Sequence, residues 1–131
     1  MKESTKDQLA LVIANDVKKE NLGHVDLHKT RELLMDAGAL LLDVRPAAKV
    51  EGENAQEAGI QSAIYAPYPE FAAYVEELPA DYTTPIVVAC LKGWFANRVA
   101  GYLEMVGYHN VYVLDTSIVD LIEVHHAHAD K

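Results

Sequence analysis

Apolar positions along this chain change their spacing several times, and each change marks an element. Leu9, Val12, Ile13 and Val17 recur at helical spacing and form one apolar face. Ser4 or Thr5 caps this predicted helix, which runs to about Lys19 and is ended by Asn21-Leu22-Gly23. Asp26 is the N-cap of a second helix through Leu33, Leu34 and Met35, closed by Gly38. The period is then lost in Ala39-Leu40-Leu41-Leu42-Asp43-Val44, a near-continuous apolar run of the kind a parallel strand shows when both faces are covered. Pro46 stops it. Residues 46–59 are small, polar and charged, so a long loop with one helical turn is predicted.

Ser62-Ala63-Ile64-Tyr65 reads as a short strand before Pro67. Pro69 suits the first turn of a helix in which Phe71, Tyr74, Val75 and Leu78 share a face. Ile86 to Ala89 is the next strand. The helix after it carries Val99, Ala100, Leu103 and Val106 on one side and ends at Gly107. Val111-Tyr112-Val113-Leu114 is the last clear strand, followed by a helix over Ile118 to Val124. Met35 and Met105 are assigned to the core. Strands alternating with helices predict an α/β domain with a mainly parallel sheet. Such sheets bind ligands at the carboxyl ends of their strands, where Asp43 and Cys90 both fall.

The chain has 131 residues, enough for one domain with one core. No apolar run approaches the roughly 18 residues that span a bilayer, and no secretory signal is evident at the amino terminus. The formal net charge of −9 and the lack of a basic stripe argue against nucleic acid and anionic membranes as partners. A lone cysteine cannot form an internal disulfide. A reduced, cytoplasmic setting is the simplest fit, and an exported mature chain stays open.

That lone cysteine is the chief chemical feature. Cys90 ends a β-branched run and precedes a brief loop with Gly93, after which a helix begins. Backbone N–H groups at a helix start stabilise a thiolate or a larger sulfur anion. The alternative for a lone cysteine is a small buried hydrophobe. Lys92 is either a solvated lysine or a contact for an anionic substrate. Trp94 and Phe95 either plug the core beneath the loop or form an aromatic rim for a partner. Asp43 and Arg45 can pair across the strand end and tie the loop in place.

Four segments in order carry a resemblance. Leu41-Leu42-Asp43-Val44-Arg45 resembles the "DVR" strand end of rhodanese-like domains. Ile60-Gln61-Ser62-Ala63-Ile64-Tyr65-Ala66-Pro67 is similar to a degraded form of the segment that follows it there. Cys90-Leu91-Lys92-Gly93-Trp94-Phe95-Ala96 resembles the active-site loop, and Gly107-Tyr108-His109-Asn110-Val111-Tyr112-Val113-Leu114 the last strand. The resemblance spans about Val25 to Leu121. It implies a three-layer α/β/α rhodanese-like fold over residues 24–124, with an extra N-terminal helix in residues 1–23 and a histidine-containing tail over 125–131.

The resemblance also implies a sulfurtransferase without metal or organic cofactor. Cys90 would take a sulfane sulfur from a small donor such as thiosulfate, or from another persulfide. It would pass the sulfur to cyanide, a thiol or a protein acceptor. Leu91, Lys92, Gly93, Trp94, Phe95 and Ala96 would form the loop that binds substrate and steadies the persulfide, with Asp43 and Arg45 in support. The family's frequent arginine and serine or threonine near the loop end are here Phe95 and Ala96. Its basic residue after the cysteine is Leu91, its histidine before Ile60 is Gly59, and its later glycine pair is Thr116-Ser117. The apolar loop suits a bulkier, less charged donor or a docking protein, so a silent binding module is the alternative function. A cysteine phosphatase is disfavoured: its phosphate-clamping arginine would fall at Ala96, and Arg98 comes two residues late.

Three peripheral features remain. His125, His126 and His128 could hold a transition metal weakly, although a frayed solvated terminus is the simpler expectation. His24 and His109 have no evident partner. The N-terminal helix covers an apolar patch of its own domain, with homodimerisation through Leu9, Val12, Ile13 and Val17 as the alternative.

Overall fold

The computed structural model describes residues 2–50, 52–60 and 62–129. Met1, Glu51, Gln61 of the Ile60–Pro67 segment, and the tail residues Asp130 and Lys131 lie outside the described residues. The order of elements is α1 (Glu3–Lys18), β1 (His24–Val25), α2 (Leu27–Asp36), β2 (Leu40–Asp43), β3 (Ala63–Tyr65), a 3₁₀ helix (Tyr68–Glu77), β4 (Ile86–Ala89), α3 (Trp94–Val106), β5 (Val111–Leu114) and α4 (Ile118–Ala129). The five strands form one sheet in the order β1-β5-β4-β2-β3. Every neighbouring pair is parallel.

Strand alternation divides the core into two layers. Leu40, Leu42 and Val44 of β2 and its extension face one side with Ile86, Val88 and Cys90, and they pack against Ala96, Val99 and Leu103 of α3 and Phe71 of the 3₁₀ helix. Leu41, Val87 and Ala89 face the other side, against Leu34 of α2 and Ile118, Leu121 and Ile122 of α4. The unbroken apolar runs of β2 and β4 follow from this: all four residues of each strand are buried. The same alternation sends the Cys90 side chain to the α3 face, beneath the start of that helix.

Several expectations need correction. α1 starts at Glu3 without a side-chain cap and has no buried residue. Val12 is half-buried, whereas Leu9, Ile13 and Val17 are exposed. What ties α1 down is largely polar: Asn15 Nδ2 donates to the His109 carbonyl at 2.8 Å, and Lys19 Nζ just beyond the helix donates to the Val111 carbonyl at 2.9 Å. Lys19 also lies 3.6 Å from Glu104 of α3. Burial pushes the Glu104 carboxyl up to about 7; a hydrogen bond with Asp16 adds to the rise, and Lys19 opposes it.

The methionines assigned to the core are on the surface, Met35 at 74% and Met105 at 41% exposure. On α2 the buried stripe is Thr30 and Leu34, and Met35 sits one step around the helix from it. Met105 is likewise off the Val99–Leu103 stripe of α3, and Val106, expected on that stripe, is also exposed. The segment after Pro67 is a 3₁₀ rather than an α-helix, with Phe71 and Leu78 buried as expected. α4 does not stop at Val124 but continues to Ala129. Its last turns have partners: His126 meets Glu53, and Arg31 Nη1 of α2 donates to His128 Nε2 at 3.1 Å.

Candidate active site

The site forms where β2 and β4 end side by side. Asp43 pairs in register with Ala89, and the Val44 N–H continues the ladder to the Ala89 carbonyl at 3.0 Å. Beyond Ala89 the chain leaves the sheet at Cys90, turns through residues 91–93 and enters α3. Gly93 makes the turn in the left-handed region, with φ 84° and ψ −11°, where a side chain would be strained. The Cys90 carbonyl accepts from the Ile118 N–H at 3.0 Å, so the start of α4 anchors the loop from the opposite layer.

Cys90 is 2% exposed. The Gly93 N–H donates to Cys90 Sγ at 3.0 Å. A backbone N–H aimed at sulfur from a helix start is a donor of the kind that can hold a sulfur anion. Cys90 lines a pocket of about 160 Å³ together with Arg45, Pro46, Lys49, Leu91, Lys92, Trp94 and Phe95. Trp94 is 74% exposed and stands at the rim, with Lys92 Nζ 6.0 Å from its ring centre. Phe95 turns inward and packs on Tyr68, ring centres 5.0 Å apart. Phe95 thus packs against the core, and Trp94 is an exposed aromatic beside the pocket. Ala96 is buried within the core layer, so it supports the loop from below and lines no part of the pocket.

Asp43 and Arg45 pair as expected, and both are buried. Arg45 Nε donates to Asp43 Oδ1 at 3.0 Å and Nη2 to Oδ2 at 2.8 Å, a bidentate fork. The Ala55 N–H adds a bond to Oδ2 at 3.0 Å, and Arg45 Nη2 reaches the Glu53 carbonyl at 3.3 Å. The pair therefore fastens the 46–59 loop to the strand end. With the guanidinium committed to Asp43, Lys49 and Lys92 are the lining cations with free head groups among the described residues.

The sequence reading missed three residues near the site. Lys49 lies in a turn of the loop, Ala47–Lys49, and only the fold of that loop brings it beside Cys90. His24, read as lacking a partner, has Nε2 2.8 Å from Asn97 Oδ1. Asn97 in turn bonds the Gly93 carbonyl. A larger cleft of about 260 Å³ between α2 and α4, lined by Arg31, Leu34, Met35, Ile60, Leu121, His125 and His128, contains no nucleophile. No group of three or more metal-ligating side chains is found among the described residues. No helix among them is long and apolar enough to cross a membrane.

Fold and site together define a parallel α/β domain with a cysteine held between a strand end and a helix start. The family model of the rhodanese-like domain matches residues 26–123, and the chain belongs to that family. Solved structures agree on the fold. A polysulfide-sulfur transferase homodimer from Wolinella succinogenes is 18% identical, with 94% of this chain and 87% of that one covered and a TM-score of 0.60. A rhodanese-related protein from Thermoplasma volcanium is 20% identical, with coverage of 77% and 91% and a TM-score of 0.57. A 3-mercaptopyruvate sulfotransferase from Escherichia coli is 22% identical over 72% of this chain and 42% of its own, with a TM-score of 0.51.

Proposed function

We propose that this domain is a sulfurtransferase in which Cys90 is the nucleophile and the sulfur carrier. The observation that carries the reading is the Gly93 N–H aimed at Cys90 Sγ at 3.0 Å, beside a pocket that Cys90 lines with Lys49 and Lys92. The Cys90 thiolate attacks the outer sulfur of thiosulfate. A new S–S bond forms, the old one breaks, and sulfite departs with the electron pair. The outer sulfur of the resulting persulfide is then attacked by cyanide or a thiolate, and the Cys90 thiolate is restored. Each half requires the protein to hold a sulfur anion, which backbone N–H groups do best when they need not reorient.

The pocket supports an organic donor as well as thiosulfate. Its walls are Leu91, Trp94, Phe95 and Pro46, and its cations stand toward the mouth on exposed side chains. A donor with an apolar body and an anionic end meets both features. The exposure of Trp94 supports the second reading, a binding module that captures a partner through its rim.

The deciding experiment is intact mass before and after thiosulfate, mercaptopyruvate or a small persulfide. The expected result is a gain of about 32 Da, one sulfur, lost on adding cyanide or thiol and absent in Cys90→Ser. A folded, reduced protein that gains nothing from any donor would overturn the catalytic reading in favour of the module. Partner capture that is lost on Trp94→Ala would then establish the rim's role.

A further inference from the structure

We infer that Asn97 and His24 are positioning residues for the Cys90 loop: Asn97 clamps the Gly93 carbonyl, and His24 holds the Asn97 amide in place. The inference takes its purpose from the sulfur-transfer reading, while its geometry stands apart from it.

Gly93 is bonded at both ends. Its N–H faces Cys90 Sγ at 3.0 Å. Its carbonyl accepts twice from one residue, from Asn97 N at 2.9 Å and from Asn97 Nδ2 at 2.8 Å. The first is the ordinary bond of a helical turn; the second is additional. The peptide between Gly93 and Trp94 is planar and trans, so its carbonyl and its N–H point opposite ways. Fastening the carbonyl along α3 therefore aims the Trp94 N–H out of the amino-terminal end of the helix, where Cys90 sits. The same clamp restrains ψ of a glycine, the residue least able to restrain itself. A Cβ built on Gly93 would lie 3.3 Å from Asn97 Nδ2, which shows how closely the amide covers this turn.

The orientation of the amide is determined by its partners. The Gly93 carbonyl only accepts, so Nδ2 faces it and Oδ1 faces His24 Nε2 at 2.8 Å. Nε2 must then donate. His24 Nδ1 lies 2.9 Å from the Asn21 carbonyl, a second acceptor. A neutral imidazole has one N–H and satisfies one of these oxygens; the imidazolium satisfies both. Asn21 and Leu22 both have positive φ, 51° and 54°, and this turn presents the Asn21 carbonyl to the ring. Lys18, Lys19, Glu20, Asp26, Lys29 and Asp115 share the surrounding cleft with Tyr112, three bases against three acids. The bond from Nε2 to Asn97 Oδ1 is the latch, and the Asn21 carbonyl orients the ring from its other side.

The test follows the rate of Cys90 alkylation by iodoacetamide at one fixed pH, beside sulfur uptake from the donors above. Asn97→Asp keeps the side-chain shape but sets an acceptor against the Gly93 carbonyl. It should lower both rates by roughly tenfold, the scale of one lost positioning bond, in a protein whose circular dichroism is unchanged. Asn97→Ser serves if the aspartate variant does not fold. His24→Ala removes the donor to Asn97 Oδ1 and should slow alkylation several-fold, whereas His24→Gln, which can still donate to Asn97, should restore most of the wild-type rate. Wild-type rates in folded Asn97→Asp, or in folded His24→Ala, would overturn the inference. If the wild type takes up no sulfur, the sulfur-transfer reading falls, and the alkylation rates still decide the latch. If the wild type takes up sulfur and Asn97→Asp matches it, the latch falls and that reading stands.

Discussion

Arg45→Met should be among the most damaging single substitutions in this protein, although Arg45 never contacts the sulfur. The side chains of Arg45 and Asp43 are 1% and 0% exposed. Asp43 accepts four bonds: from Arg45 Nε, Arg45 Nη2, the Arg45 N–H and the Ala55 N–H. Methionine fills a similar volume but removes two of the four donors and the countercharge. A carboxylate stranded in this way costs about 3–5 kcal/mol, against a total stability of about 5–15 kcal/mol for a typical domain. Urea unfolding of the two single variants and the double variant Asp43→Asn/Arg45→Met measures the effect. The double variant should recover at least about 1 kcal/mol relative to Arg45→Met, because no charge is left unpaired. A loss below about 1 kcal/mol in Arg45→Met, the range of a solvent-exposed ion pair, would refute the reasoning.

Gly93→Ala should cost about 1 kcal/mol in stability and slow alkylation of Cys90, since φ at 84° strains any side chain; unchanged alkylation would show that the turn adapts. For Glu104 the folded carboxyl titrates at about 7 against 4.5 for the free group, so its contribution is greatest below about pH 4.5 and is lost as pH rises to about 7. Glu104→Gln should therefore be more stable than the wild type by about 1–2 kcal/mol near pH 8, a figure discounted for the nearness of solvent, with the gap closing near pH 4.5; an equal gap at both pH values would contradict this. Lys49→Ala and Lys92→Ala should each raise KM for thiosulfate more than for an uncharged organic donor, by roughly 2–5-fold each and less at high salt; equal effects on both donors would argue against a charge role.

The central strands and the loop around Cys90 were legible because they rest on local patterns. An apolar run in β2 or β4 can be accommodated only under two covering layers, and a cysteine followed by glycine before a helix has few other readings. Asp43 and Arg45 could be paired because they lie two positions apart at the strand end, with Val44 between them. What was not legible depends on distant chain. β1 consists of only two residues, and it exists because β5 offers them a free edge. Lys49, His24 and Asn97 reach the site from three separate segments, and no spacing rule connects them. Met35 and Met105 were misplaced because hydrophobicity was read without its angle around the helix. The last turns of α4 read as a frayed end from sequence because Glu53 and Arg31, which meet them, lie far away along the chain.

The brevity of the outermost strands has a consequence for how copies of this chain can meet. β1 has two residues and β3 three, with Pro67 shortly after β3. An exposed edge of that length gives an incoming strand little to template on, and the proline withholds a donor just beyond it. Lateral growth of one sheet into another, a common route to fibrous aggregates, is therefore blunted at both margins. Self-association, where it occurs, is left to side-chain surfaces, and the Leu9, Ile13 and Val17 stripe of α1 is such a surface.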